Sequence, residues 1–152
     1  MDARLADLQR QFELERLEVN LFRGESRDTG SPQVFGGQVL GQALKAASAT
    51  IEDGRLVHSL HAYFLRRGDF TKPIVYSVDR SRDGGSFSAR RVLAIQDGEQ
   101  IFICSASFQQ PESGLDYQVA MPAVAPPEEL KPFSKPPPAM LEKLPEKLRR
   151  WL

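Results

Sequence analysis

Residues 37–50, GQVLGQALKAASAT, contain a single charged residue, Lys45. The larger apolar residues of this stretch recur at helical spacing, and the other face carries small residues instead of polar ones. The residues of the apolar face are Val39, Leu40, Ala43, Leu44 and Ala47. A helix this poor in charge is typical of one that other structure surrounds. The pattern therefore predicts a central helix with these five side chains buried and a curved sheet around it.

Four runs with the alternation of half-buried strands follow this helix, at residues 57–66, 73–80, 86–96 and 100–108. In each run the alternation places one set of residues on a common face. The four sets are His58, Leu60, Ala62 and Phe64; Ile74, Tyr76 and Val78; Phe87, Ala89, Leu93 and Ile95; and Phe102, Cys104, Ala106 and Phe108. Asp83-Gly84-Gly85 and Asp97-Gly98 between the later runs are typical of hairpin turns, so we expect mostly antiparallel strands.

Two shorter elements are predicted before the central helix. Leu5, Leu8 and Phe12 lie at helical spacing after Asp2, which indicates an amphipathic helix over residues 3–13. Residues 17–21 alternate as one further strand. The predicted fold class is therefore α+β, with one helix packed against a five-stranded sheet. This order and these lengths suit a hot-dog fold, in which a curved antiparallel sheet wraps around a central helix.

Composition excludes several classes of function. The chain has 152 residues, the size of one compact domain, and its 20 basic and 20 acidic residues balance, so a generic nucleic-acid binder is not expected. One cysteine and two histidines leave few ligands for a zinc site. The first residues lack the apolar core of a secretion signal, and no uncharged apolar run approaches the roughly 20 residues of a membrane span. A cytoplasmic protein that does not act on membranes is the expectation.

Proline and glycine divide the chain. Nine of the 11 prolines lie from Pro111 onward, whereas only one of the 11 glycines, Gly114, lies after Gly98. Residues 1–110 are therefore predicted to form the packed domain. Residues 111–138 are predicted to be an extended, proline-rich linker, because each proline fixes φ and removes an amide donor. Residues 139–152 resume a helical pattern, either as a short docked helix or as the start of a second domain that this chain lacks.

Five separate segments of the chain carry a family resemblance. They are residues 21–24 (LFRG), 34–43 (VFGGQVLGQA), 57–66 (VHSLHAYFLR), 82–92 (RDGGSFSARRV) and 106–109 (ASFQ). Together, and in this order, they resemble the N-terminal half of the acyl-CoA thioesterase II family over residues 5–130. The resemblance implies a double hot-dog protein, usually assembled further, that hydrolyses acyl-CoA to fatty acid and coenzyme A without a metal or organic cofactor.

The resemblance also implies where catalysis takes place. In the family the water-activating Asp, the Ser or Thr, and the Gln belong to the second half, and no residue of this chain matches those positions. The chain is therefore expected to be inactive alone, to need a second hot-dog domain or a homo-oligomer partner, and to bind acyl-CoA. The chain length of the acyl group does not follow from the sequence.

Phe35-Gly36-Gly37-Gln38 is the candidate substrate-binding segment, because it opens the central helix. Helix N-termini present free amides and a partial positive charge, which could hold a thioester carbonyl as negative charge develops on it. Two glycines would allow a ligand to approach closely. The alternative is that the glycines serve a tight loop packed on the sheet or on a partner domain.

Other candidates are weighed against structural roles. His58 could act as a general base, being poised near neutral pH, but a packed histidine with one hydrogen bond is favoured. His61 is expected on the opposite face of the same strand. Cys104 fits a small core residue better than a nucleophile. A group of strand-end arginines could meet coenzyme A phosphates or could simply be solvated or paired charges: Arg66, Arg67, Arg80 and Arg82.

The sequence leaves two other functions open. A hot-dog dehydratase would need a histidine and an acidic residue facing one another, and residues 36–50 contain no acidic residue, which counts against it. A module that binds acyl-CoA or dimerises without turnover is the second alternative. Turnover of palmitoyl-CoA measured beside a binding titration would separate this module from a thioesterase.

Overall fold

A computed structural model describes residues 3–52, 54–130 and 137–144. Its elements in chain order are α1 (Ala3–Gln11), β1 (Glu15–Glu18), β2 (Leu21–Gly24), α2 (Gly36–Ser48), β3 (Leu56–Phe64), β4 (Ile74–Asp83), β5 (Phe87–Gln96), β6 (Glu99–Gln109) and α3 (Pro138–Leu141), with a single 3₁₀ turn at Pro127–Glu129. The predicted order of helices and hairpins is confirmed, with element ends shifted by up to three residues, except that two strands replace the one predicted over residues 17–21.

All strands of the first 113 residues belong to one antiparallel sheet in the order β1-β2-β4-β5-β6-β3. Helix α2 packs against β2, β3, β4, β5 and β6. A helix can touch five neighbouring strands only if the sheet curves around it, because neighbouring strands lie about 4.8 Å apart. The predicted α+β architecture, a curved sheet around a central helix, is confirmed.

The sheet has six strands and not five. Residues 17–21, predicted as one strand, span the end of β1, a turn at Val19 and Asn20, and the start of β2. The two short strands form a hairpin that pairs Arg16 with Phe22. Alternation alone does not separate one strand from two when the turn between them carries no glycine or proline.

The core lies between α2 and the concave face of the sheet. Its buried apolar members from α2 are Val39, Ala43, Ala46 and Ala47, and those from the sheet include Ile74, Tyr76, Val92, Ala94, Phe102 and Phe108. Leu40 and Leu44, predicted to be buried, are only partly buried at the side of this core. The helix instead turns Gln38 and Gln42 inward. Hydrogen bonds make this orientation possible, because they satisfy both amides inside the core.

In strand β5 the buried face is not the one that carries the predicted apolar set of residues. Phe87, Ala89, Leu93 and Ile95 share one face as predicted, but it is the outer, partly exposed one. The face toward α2 carries Ser88, Arg90, Val92, Ala94 and Gln96, all buried. Arg90 is 2% exposed because Thr50 Oγ1 accepts from its Nε at 2.8 Å and Asp83 Oδ1 accepts from its Nη2 at 2.6 Å. Polar side chains can be buried when they are hydrogen-bonded, so polarity did not show which face of β5 lies toward α2.

The two edges of the sheet are β1 and β3. The apolar sequence of residues 100–108 predicts a strand able to pair across an interface, but β6 lies between β5 and β3 and is paired on both sides. The apolar residues of β6 are explained by burial, because they face the core: Phe102, Cys104, Ala106 and Phe108. Residue type alone does not show which strands are the neighbours of a strand. The two-residue turn Asp97-Gly98 joins β5 to β6 with φ of 50° and 80°, which confirms the predicted hairpin.

A second unit comprises Gly114–Leu152, and the predicted division into a packed domain, a linker and the start of another domain stays a prediction. The part of this unit from 114 to 126 has no helix or strand, and the 3₁₀ turn and α3 follow. The predicted helical continuation to residue 152 lies outside the described residues from 145 onward. Within the described residues, none of the helices has the length and hydropathy that a membrane span requires.

Candidate functional site

A cavity of about 410 Å³ opens where α2 begins. The turn after β3 and the start of β6 complete its wall. Its lining residues are Gln33, Val34, Gly36, Val39, Phe64, Leu65, Arg66, Arg67, Gly68 and Ile101. Ligand sites typically combine such an apolar lining with a few polar groups, and their volumes range from about 300 to 1,000 Å³. The cavity is therefore large enough to hold part of a small organic ligand.

The N–H groups of Gly36 and Gly37 at the start of α2 have no hydrogen-bond acceptor within the described part of the chain. The first backbone bond of the helix is donated by Gln38 to the carbonyl of Phe35, at 3.0 Å. Phe35 provides no side-chain cap, and the first turn carries no acidic residue. The positive end of the helix dipole is therefore not neutralised locally, and Gly36 presents it to the cavity.

The four residues of the predicted substrate-binding segment take different positions. Gly36 lines the cavity, and a Cβ there would lie 3.0 Å from the ring of Phe64. Gly37 stands beside the exposed ring of Phe35, which its Cβ would approach to 2.5 Å. Gln38 is 2% exposed and does not line the cavity. Of the four residues, Gly36 is thus brought to the cavity, while Phe35, Gly37 and Gln38 do not line it.

Gln38 and Gln42 belong to a buried hydrogen-bond network that holds α2. Both side-chain amides donate to the carbonyl of Glu25, at 3.2 and 2.9 Å. Gln38 Oε1 accepts from Gln11 Nε2 at 2.7 Å, and Gln42 Oε1 accepts from the hydroxyl of Tyr76 at 2.8 Å. These bonds tie the first half of the helix to the chain before it and to β4. They fix the direction in which the start of α2 points.

His58 lies at a β-bulge, and the bulge changes its face. The register of β3 against β6 shifts between Val57 and Ser59. His58 Nε2 consequently lies 2.8 Å from Ser107 Oγ on the outer face of the sheet, and its ring contacts Phe87 edge-on. The expectations that His58 shares a face with Leu60 and that His61 faces the other way are therefore wrong.

The position of His58 suits a solvent-exposed hydrogen bond better than catalysis within this domain. No carboxylate is hydrogen-bonded to His58 among the described residues, so nothing orients its ring as in a Ser-His-Asp arrangement. His58 also does not line the cavity at α2. The pair with Ser107 was not visible in the sequence, because the two residues are 49 positions apart.

Cys104 is a core residue, as predicted. Its side chain is buried, and burial raises the pKa of this thiol to about 11. A thiol in this state is not a nucleophile at neutral pH. Burial also raises the pKa of Tyr76, which keeps its hydroxyl protonated as a donor to Gln42.

The cavity contains neither a metal cluster nor an acid. Among the described residues no group of three or more His, Cys, Asp or Glu side chains could hold a metal ion. None of the residues around the cavity is Asp, Glu or His. Phe64 and Ile101 were missed as cavity residues in the sequence, since only the pairing of β3 with β6 brings them to the start of α2.

Comparisons with known proteins extend this picture. A family model described as the acyl-CoA thioesterase N-terminal domain matches residues 25–109. The human protein acyl-coenzyme A thioesterase 8 is 51% identical over 118 residues, which are 77% of this chain and 37% of the human protein. The chain thus spans less than half the length of this relative.

Two solved structures share the architecture. An acyl-CoA thioesterase II from Mycobacterium marinum is 49% identical with a TM-score of 0.71, and the match covers 80% of this chain and 45% of that one. A protein from Alicyclobacillus acidocaldarius, described as having a hot-dog fold, is 24% identical with a TM-score of 0.72, covering 87% of this chain and 50% of that one. The hot-dog fold predicted from the order of the elements is confirmed.

Proposed function

Because the chain belongs to the acyl-CoA thioesterase family, through its N-terminal domain, we propose that it forms the N-terminal hot-dog domain of an enzyme that hydrolyses fatty acyl-CoA to free fatty acid and coenzyme A. The observation that carries this proposal is the cavity beside the uncapped start of α2. It combines an apolar lining, which suits an acyl or pantetheine chain, with a free amide donor at Gly36, and the free N–H of Gly37 follows in the same helix turn.

The proposed role of Gly36 and Gly37 is electrostatic. Attack of water on a thioester carbonyl places negative charge on its oxygen. Two N–H groups at the positive end of a helix stabilise that charge if the oxygen lies about 2.7–3.1 Å away. The other two members of the predicted segment act indirectly: Phe35 covers Gly37, and Gln38 holds the helix to Glu25.

Activation of the water is assigned to a second domain. No carboxylate or imidazole stands among the residues that line the cavity, so nothing at this site in the described chain can accept a proton from water. The chain also spans only 37% of its human relative. We expect the general base to come from a second hot-dog domain, and no metal or organic cofactor is part of the proposal.

Strand β3 is the proposed surface for that second domain. It is an edge strand, and it exposes the large apolar side chains of Leu56, Val57, Tyr63 and Phe64. Exposed edges with apolar side chains favour association with another sheet. Antiparallel pairing with an edge strand of the second domain would place residues of that domain beside Phe64 and the cavity at Gly36.

The test joins this chain to the second half of a family member. Hydrolysis of palmitoyl-CoA is followed by the release of coenzyme A thiol. The joined protein should turn over, and the 152-residue chain alone should show little or no activity. Robust turnover by the chain alone would contradict the division of labour and would make His58 a catalytic candidate again. No turnover by the joined protein would contradict the hydrolase proposal.

Association through β3 has its own test. Light scattering of the chain at micromolar concentration should give a dimer or larger species. Tyr63→Lys on β3 should reduce the association, while Leu17→Lys on the other edge strand, β1, should not. A monomeric wild-type chain, or an equal effect of both substitutions, would contradict this pairing.

A non-catalytic acyl-CoA-binding or dimerisation module is the second candidate. The lack of any acid or histidine at the cavity favours it over an enzyme that works alone. Saturable binding of palmitoyl-CoA by the joined protein without turnover would select this alternative. A role in cytoplasmic fatty acid metabolism remains a prediction from the sequence.

A further inference from the structure

We propose that Arg67 binds the phosphate groups of coenzyme A at the rim of the cavity beside Gly36. The inference rests on the proposed function, because it assumes that the cavity receives an acyl-CoA. It goes beyond that function by assigning one side chain to the anionic end of the substrate. The assignment follows from the surroundings of the four strand-end arginines, which the structure separates.

Two of these four arginines are already occupied. Arg66 donates from Nη1 to the carbonyl of Gln100 at 2.7 Å, and its Nη2 lies 3.1 Å from a carboxylate oxygen of Glu99. Arg80 donates from Nε to Asn20 Oδ1 at 2.9 Å. Both guanidinium groups therefore have acceptors within the protein, and binding a ligand would require them to exchange partners.

Arg67 and Arg82 differ in position but not in pairing. Neither side chain makes a hydrogen bond or an ion pair with any residue that the structure describes. Arg67 lines the cavity beside Gly36, whereas Arg82 does not. Arg67 is thus the arginine that combines an available guanidinium with a place at the candidate site.

The backbone beneath Arg67 is held firmly. The carbonyl of Gly68 accepts a hydrogen bond from the N–H of Val34 at 3.0 Å. A Cβ on Gly68 would come within 3.2 Å of both Ile101 and Val34, so the chain is closely packed there. The side chain of Arg67 is exposed above this anchored turn. The backbone at Arg67 is therefore held in place, while its guanidinium stays exposed and available to a ligand.

The acidic residues near this rim have other partners. The carboxylate of Asp69 accepts from the N–H and the hydroxyl of Thr71, and these hydrogen bonds lower its pKa. Glu99 is paired with Arg66. No acid lines the cavity itself. The rim is therefore cationic at Arg67, and the floor formed by Val39, Phe64 and Ile101 is apolar.

This division matches the two ends of an acyl-CoA. The acyl and pantetheine parts are mainly uncharged, whereas the nucleotide carries a diphosphate and a 3′-phosphate. A planar guanidinium suits phosphate oxygens because it can donate two parallel hydrogen bonds.

Calorimetric titration of the 152-residue chain with coenzyme A, 3′-dephospho-coenzyme A and pantetheine tests this assignment. Arg67→Met should weaken coenzyme A binding by about tenfold, the loss typical of one charge-assisted contact, and should leave pantetheine binding unchanged. Arg82→Met, the matched control, should bind all three ligands like the wild type. If dephospho-coenzyme A is affected as strongly as coenzyme A, Arg67 contacts the diphosphate; a smaller effect indicates the 3′-phosphate.

Three results would overturn the inference. One is wild-type affinity for coenzyme A in Arg67→Met. Another is an equal loss in Arg67→Met and Arg82→Met, which would indicate an unspecific charge effect. The third is an equal loss for pantetheine. If the wild-type chain binds none of the three ligands, the inference fails, whereas hydrolysis of palmitoyl-CoA by the joined protein would still support the proposed function. Arg67-dependent binding without hydrolysis by the joined protein would refute the hydrolase alone.

Discussion

The hydroxyl of Tyr76 donates a hydrogen bond of 2.8 Å to Oε1 of Gln42, and both side chains are fully buried. The bond connects β4 to the middle of α2 across 34 positions of sequence. Gln42 Nε2 donates in turn to the carbonyls of Gln11 and Glu25. A single amide therefore holds the central helix to the sheet, to the end of α1 and to the loop after β2.

Tyr76→Phe should destabilise the domain, because it leaves the buried Oε1 of Gln42 without a donor. The expected cost is about 1–3 kcal/mol in the free energy of unfolding, measured by urea denaturation. Tyr63→Phe is the control, since Tyr63 is exposed on β3. Equal effects of the two substitutions would show that the hydrogen bond to Gln42 contributes nothing.

Arg90→Met and Arg91→Met should differ sharply although the two residues are neighbours on β5. Arg90 is buried and paired with Asp83 and Thr50, and removing it takes a charged donor from each of these acceptors. Arg91 is about half exposed. We expect a loss of about 1–3 kcal/mol for Arg90→Met and about 0.5 kcal/mol or less for Arg91→Met, both from urea curves. A small effect at Arg90 would contradict its buried role.

Stability should fall at alkaline pH, partly because of Cys104. Burial raises the pKa of its thiol from 9.0 to about 11, so the unfolded chain loses this proton at lower pH than the folded one. The stability contribution is complete below pH 9 and is lost as the pH rises toward 11. The largest contribution that this pKa difference can make to the free energy of unfolding is about 2–3 kcal/mol, at 1.36 kcal/mol per pKa unit.

Cys104→Ala should flatten the pH dependence of unfolding between pH 9 and 10, whatever its constant cost from the smaller side chain. Tyr76, whose pKa burial also raises, contributes in the same direction at higher pH. Urea curves of both proteins at several pH values give the comparison. Parallel pH profiles would show that Cys104 is not the titrating group.

Gly36→Ala and Gly37→Val should separate binding from stability. A methyl group on Gly36 would meet the ring of Phe64 inside the cavity, and that ring is exposed enough to move. We therefore expect Gly36→Ala to weaken palmitoyl-CoA binding about tenfold or more while the melting temperature changes by only a few degrees, as for a cost of about 1 kcal/mol.

Gly37→Val decides what the second glycine is for. Its side chain would meet the ring of Phe35, which is exposed and can turn away. Reduced binding of palmitoyl-CoA at an unchanged melting temperature would support the amide role. A lower melting temperature with intact binding would show that the glycine serves the packing of the helix start.

Leu44→Ala should cost less than the 2–5 kcal/mol of a fully buried leucine, because Leu44 lies at the side of the core. We expect about 1–2 kcal/mol, in proportion to the area it buries. Val39→Ala, at a position only 4% exposed, should cost at least as much although it removes fewer atoms. A larger loss at Leu44 would mean that the helix is covered more completely than the structure shows.

Several features of the fold could be read from local patterns alone. The low charge of residues 37–50 indicated a central helix, and strand alternation with Asp97-Gly98 indicated antiparallel hairpins. The segment at Phe35–Gln38 pointed to the helix start that now borders the cavity. These features depend on neighbours along the chain, so spacing is sufficient to predict them.

Features that depend on distant residues were not predictable in this way. The alternation in β5 does not show which of its faces is inside, because Arg90 and Gln96 become buried through partners that other segments supply. One bulge in β3 moved His58 to the face of Ser107, since a shift of one residue exchanges the faces of a strand. The same applies to the apolar β6, whose two neighbours follow from the sheet order.

By itself, the sequence determined the central helix, the antiparallel strands around it, the core position of Cys104 and the family resemblance. The tertiary structure alone decided which arginines are free, which edge of the sheet is open and which residues meet at the start of α2. The reason is physical. Secondary structure follows from the periodicity of residues close in sequence, whereas burial and pairing depend on the free energy of contacts between residues that only the folded chain brings together.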